Sequence, residues 1–123
     1  MRYMMLIYSR ENDAATADEM EQIAAGHRAV MEDASRRGIL RAAEPLEPAA
    51  TATTVRKQNG KVLLTDGPFA ETKEQLAGYY ILDCEDLDEA LEWAARIPTA
   101  CQGEAGCVEV RPVREMRGPS ANG

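Results

Sequence analysis

Histidine, phenylalanine and tryptophan each occur once in 123 residues, and cysteine occurs three times. An odd set of cysteines (Cys84, Cys101, Cys107) with no C-x2-C pair gives neither a disulfide framework nor the usual zinc spacing. One histidine and scattered thiols do not make a tight transition-metal site. The sequence also lacks a P-loop and the G-x-G-x-x-G, G-x-S-x-G and H-E-x-x-H patterns, so no metal or cofactor is expected. The first apolar run, Tyr3 to Tyr8, falls far short of the roughly 18 residues of a membrane span. No small-residue cleavage site follows it, so it reads as a strand rather than an export signal, and the cytoplasm is the default compartment. Basic residues are also in the minority, 14 against 21 acidic, for a net charge of −7. That balance argues against direct nucleic-acid binding and against a basic membrane-surface helix.

What remains is an ordinary globular composition, 45% hydrophobic and 28% charged, in a length suited to one domain. That domain is expected over residues 1–115, with 116–123 a frayed tail. Ser9 to Ala15 reads as a polar loop. Thr16 and Glu19 form a capping box ahead of a helix whose stripe is Met20, Ile23, Ala24, His27, Val30, Met31 and Ala34. Arg36-Arg37-Gly38 closes it. Strands are expected over Ile39–Leu46, Thr51–Lys57 and Val62–Thr65, the last two joined through Asn59-Gly60, a type I′ hairpin signal. Asp66-Gly67-Pro68-Phe69 is a turn, and Ala70–Leu76 a loop with one helical turn. Gly78–Cys84 is a strand. Asp86 opens a second helix with Leu87, Ala90, Leu91, Ala94 and Ile97 on one face, ended by Pro98. A loop over 99–106 leads to a final edge strand, Cys107–Val113.

Two strand–helix–strand units with an inserted hairpin predict an α+β, ferredoxin-like sandwich: an antiparallel sheet with both helices on one face. The other sheet face would be left open, and a second copy is its simplest cover, so a homodimer is expected.

The stretch TDGPFAETKEQLAGYYILDCEDLDEALEWAARIP, residues 65–98, resembles the DGPF group of the YCII-related domain family. The TATTVRKQNGKV hairpin and the closing VEVRPV are similar to that family too. The resemblance implies a ferredoxin-like fold assembled as a dimeric α/β barrel. It implies no settled activity. Members are proposed to be enzymes because of a histidine and an aspartate, and some are linked to extracytoplasmic-function sigma factors. The family's histidine precedes the helix-ending glycine by eleven residues, the spacing of His27 and Gly38 here. Asp66 is the candidate for the aspartate.

His27 is thus either a packed core or interface histidine or a general acid/base whose pKa a carboxylate tunes. Asp66 is either a turn former or the group that fixes the His27 tautomer. Phe69 reads as a core or dimer anchor. Tyr8, Tyr79 and Glu71 are candidate substrate contacts, with packing or solvation as their alternatives. Strand alternation puts Tyr79 and Tyr80 on opposite faces. Two functions follow. One is a small-molecule enzyme using His27 and Asp66 for proton transfer. The other is a regulatory or ligand-sensing module that docks on a sigma factor.

Overall fold

The computed structural model describes residues 1–11, 15–99 and 106–116. The first strand, β1 (Arg2–Arg10), buries Tyr3, Met5 and Ile7 and turns the intervening residues to the other face. It runs two residues further than its apolar stretch. Ser9 and Arg10, expected in a loop, pair with Gln75 and Glu74. The reason is that ladder hydrogen bonds use backbone groups, and polar side chains at a sheet end do not interrupt them.

Helix α1 (Ala17–Arg36) starts at the expected capping box, with the Glu19 amide donating to Thr16 Oγ1 at 3.1 Å and the Thr16 amide donating to Glu19 Oε1 at 3.2 Å. It stops at Gly38, whose φ of 74° is the left-handed conformation glycine adopts without penalty. There the Ile39 amide reaches the Ala34 carbonyl and the Gly38 amide reaches that of Ser35, the Schellman pattern. β2 (Leu40–Pro45) follows, then a 3-10 turn at Ala49–Thr51. The hairpin is β3 (Thr53–Gln58) and β4 (Lys61–Asp66), with Asn59 and Gly60 at φ 53° and 78°, as a type I′ turn demands.

Next, β5 (Glu74–Asp83) begins four residues before the expected Gly78. No helical turn forms over 70–76. Pairing of Gln75 and Leu76 with β1 captures that stretch as strand, a tertiary contact overriding local propensity. Helix α2 (Leu87–Ala94) is capped by Asp86, which accepts from the Glu89 amide at 2.9 Å. Its buried face is Ala90, Trp93 and Ala94, continued by Ile97, while Leu87 and Leu91 are exposed. The expected apolar stripe is therefore rotated: the large Trp93 side chain, left out of it, has more area to bury than either leucine. β6 (Gly106–Pro112) closes the sheet at one edge.

The four-stranded sheet runs β2-β5-β1-β6, with every pair antiparallel, and the β3–β4 hairpin forms its own two-stranded sheet. Both helices contribute to one core with Tyr3, Met5, Ile7, Tyr80 and Leu82, so they share one sheet face. This is the ferredoxin-like α+β arrangement. Cys84 is buried in that core as a small apolar group. Asp33 on α1 accepts from Arg36, Arg37 and, across the helix gap, Arg96; these guanidiniums hold its carboxyl well below the usual range. Arg37 and Arg96 also lie over the Trp93 ring, at 5.7 and 4.6 Å. The expectations for Cys101, the 100–105 loop and the tail beyond 116 fall outside the described residues.

β2 comes close to β5 at Gly78. A Cβ on Gly78 would stand 2.8 Å from the Glu44 carbonyl oxygen and 3.2 Å from Pro45 Cα, both backbone atoms that cannot swing aside. Gly78→Ala is expected to lower unfolding free energy by about 1–3 kcal/mol, the usual cost of overpacking. Urea denaturation checks this, and an unchanged midpoint would contradict so tight an approach.

Candidate functional site

The α1 stripe has two halves with different fates. Val30 and Ala34, near its C-terminus, are fully buried against the sheet. Ile23, Ala24 and His27, nearer the N-terminus, are only half-buried, and Met20 is 59% exposed. The cause lies in the sheet beneath them. Opposite this half of the helix stand Ser9, Ala43 and Gly78, too small to fill the layer. The result is a cavity of about 450 Å³ between α1 and the ends of β1, β5 and β2. That volume is in the range of small-molecule sites, roughly 300–1,000 Å³. Its floor is irregular: the β1–β5 register shifts between Ile7 and Tyr8, and such bulges often re-aim side chains beside sites.

His27 lines this cavity and Tyr80 forms part of its floor. The Tyr80 ring is 3% exposed, in the sheet face under α1, so its hydroxyl needs a partner inside the protein. It finds His27 Nδ1 at 2.8 Å, with the His27 carbonyl oxygen at 3.4 Å as a second acceptor. The two rings stack with centroids 5.9 Å apart. Burial pushes the phenol up to about 12, so it keeps its proton throughout the neutral range. Burial pushes the His27 imidazole below its ordinary 6.5, so the ring is neutral at pH 7. The arrangement is a neutral imidazole whose Nδ1 is held by a protonated phenol, in a largely apolar cavity. Such a ring can accept or release a proton at Nε2.

The other residues singled out from the sequence are dispersed. Tyr79 borders the cavity along β5, but strand alternation turns its side chain to the sheet face opposite Tyr80, in register with Leu6. Tyr8 and Glu71 do not line it; Tyr8 is in register with Leu76 and Cys107, and Glu71 is exposed. Asp66 ends β4 opposite Thr53, is exposed, and does not line the cavity. The hydrogen-bond partner of His27 is Tyr80. Phe69 is 79% exposed, so it is not a core anchor: the hairpin and its following turn leave the main sheet before that residue can reach the core. Tyr80 is the site residue that sequence reading missed. Its parity with Leu82 and Cys84 was the available signal, since residues two apart share a sheet face. Among the described residues no group of three or more His, Cys, Asp or Glu side chains is placed to hold a metal ion. Nor is any helix there long and apolar enough to cross a membrane.

Fold and cavity together define a small ferredoxin-like α+β domain with a histidine-lined pocket between its layers. The model of the YCII-related domain matches residues 1–117, and the chain belongs to that family. It is also similar to an uncharacterized protein of Rhizobium meliloti (strain 1021), 39% identical over 115 residues that cover 92% of each chain.

Depression of the His27 pKa has a consequence for stability. Below pH 6.5 the unfolded chain takes up a proton that the folded chain resists, so stability present above 6.5 is lost as pH falls toward the folded value. An NMR titration is expected to place the imidazole midpoint below 6.5, and His27→Gln to flatten this limb of the stability–pH profile. A midpoint at or above 6.5 would contradict the burial argument.

Proposed function

We propose that this protein takes a small organic molecule into the cavity under α1 and moves a proton on it with the His27 imidazole. The supporting observation is the 2.8 Å contact between His27 Nδ1 and the Tyr80 hydroxyl at the wall of an apolar cavity. When the phenol donates to Nδ1, Nε2 carries the ring proton and can donate a hydrogen bond to a bound molecule. When the phenol turns its proton to the His27 carbonyl oxygen, Nδ1–H donates to the phenol oxygen and Nε2 offers its lone pair as a base. A base that has taken a proton on Nε2 keeps this second arrangement. The imidazolium is therefore held in place until the proton returns, as isomerase, lyase and hydrolytic chemistry require. Within one chain Asp66 lies outside the cavity, so this reading rests on His27 with Tyr80 rather than on His27 with Asp66. The string DGPFAETKEQ supports placing the chain in the DGPF group of its family.

A homodimer belongs to the same reading. Met4, Leu6, Tyr8 and Ile81 are on the sheet face that no helix covers among the described residues. Val55, Val62 and Leu64 are exposed on one side of a hairpin that, among the described residues, pairs with no other strand. A two-stranded hairpin alone is marginally stable in water, and a second copy would cover both surfaces. Sedimentation is expected to give twice the 13.5 kDa chain mass, and Leu64→Glu to shift the protein toward the single-chain mass.

The function is tested by screening small-molecule mixtures against the His27 ring signals, which are unambiguous because the residue is unique. Bound compounds are then assayed for turnover. His27→Gln is expected to cost about 10²–10⁴-fold in turnover, the range of general acid–base catalysis, with binding retained. Tyr80→Phe should cost less and displace the pH–rate profile. Failure of any small molecule to reach His27 would favour the regulatory reading, a module acting beside an extracytoplasmic-function sigma factor.

A further inference from the structure

Besides the tyrosines, two hydroxyl side chains line the cavity, Ser9 on β1 and Thr99 after α2. The β1–β6 register runs without a shift from Tyr3 to Ser9, so alternation carries Ser9 to the face of Tyr3, Met5 and Ile7, under α1. Thr99 stands over the register partner of Ser9: its Cβ lies 3.1 Å from where a Cβ on Gly106 would be. The two hydroxyls therefore share one end of the cavity, and neither has a hydrogen-bond partner among the described residues. His27 lies toward the other end, on Tyr80. Tyr80 pairs with Met5, four β1 residues from Ser9, a strand length of roughly 13 Å. Ile7, Ile23, Ala24 and Gly78 line the span between. The three charged residues that border the cavity offer it no free charge. Arg28 is tied to Glu21 in an ion pair. Alternation turns Arg10, with Tyr8, and Glu44, the register partner of Tyr79, to the opposite sheet face.

We propose that the cavity selects a neutral, elongated and largely apolar molecule with a polar group at each end, one hydrogen-bonded by His27 Nε2 and the other by the Ser9 and Thr99 hydroxyls. This rests on the cavity being a small-molecule site, and adds the chemical class of the ligand and its two anchor points. Burying an ion without a counter-charge costs far more than burying a neutral group that is hydrogen-bonded, which sets the cavity against charged ligands. A hydroxyl in an apolar cavity is satisfied by water or by a ligand. A ligand oxygen that replaces the water keeps the bond, whereas an apolar end strands the hydroxyl. Hydroxyls both donate and accept, so this end takes a carbonyl or a hydroxyl alike. Anchored at both ends, the ligand lies along α1 with its second polar group at His27. Ser9 and Thr99 are then specificity residues, away from the atoms between which the proton moves.

The test uses three probes built on one skeleton, 2-naphthol, naphthalene-2,6-diol and 6-hydroxy-2-naphthoate, titrated into the full chain at pH 7 with the His27 ring signals as readout. Wild type is expected to bind the diol about three- to tenfold more tightly than 2-naphthol, the net worth of one hydrogen bond. The carboxylate should bind at least about tenfold more weakly than the diol. Replacing Ser9→Ala and Thr99→Val together should erase the advantage of the diol while leaving 2-naphthol affinity unchanged, which also reports that the variant is folded. The single variants are read in the same way. A diol no tighter than 2-naphthol in wild type, or an advantage that survives the double replacement, would overturn the assignment of Ser9 and Thr99. A carboxylate that binds as tightly as the diol would overturn the neutral class. Either result leaves the cavity intact as a small-molecule site. If no probe perturbs His27 at millimolar concentration, the small-molecule reading falls, and the ligand class with it.

Discussion

Tyr80 is large, carries a hydroxyl, and lies in the one sheet face that two helices cover. A buried phenol without a partner is costly, on the order of 1–3 kcal/mol. The partner comes from α1, as His27, at 2.8 Å. That single contact ties the rotation of α1 to the position of β5. With the capping box at one end of the helix and the Schellman turn at the other, it sets which residues of the stripe face the sheet. The same contact buries the imidazole enough to keep it neutral. A packing requirement and a chemical property therefore share one hydrogen bond.

The cavity follows from an imbalance across the layers. Toward the C-terminal end of α1 the sheet is thick with Tyr3, Met5 and Leu82, and the helix packs down on it. Toward the N-terminal end the sheet offers Ser9, Ala43 and Gly78. Gly78 is needed for a different reason, the close approach of the β2 backbone at Glu44 and Pro45. A residue without a side chain on the floor leaves volume above it. On the roof, Gly26 lets α1 approach Pro98, where a Cβ would come within 2.7 Å of Cγ. Two close backbone approaches thus frame the pocket, and Asp33 with its three arginines keeps the helices together at the far end.

Much of the fold was legible because its signals are local. A hydroxyl followed three residues later by Glu, a glycine after paired arginines, Asn-Gly between β-branched runs and Asp before an amphipathic octet each act within a few residues. Where reading failed, the deciding partner was distant. Glu74 to Leu76 became strand because β1 was there to pair with them. Leu87 and Leu91 stayed outside because Trp93 took the interior. The site was legible in half: His27 stood out as the only histidine on an apolar stripe, whereas its partner was sought in a conspicuous turn and found in the middle of a strand.

By itself the sequence determined the order and kind of the elements, their caps and turns, the antiparallel ferredoxin-like plan and the identity of the unique histidine. These follow from periodicity and backbone preference, which operate over a turn of helix or a pair of strand residues. Tertiary structure alone decided that Tyr80 rather than Asp66 meets His27 within the chain and that small residues from three strands gather under one half of α1. Each of these depends on contacts between residues tens of positions apart, and register, side-chain volume and burial settle such contacts only when the layers close.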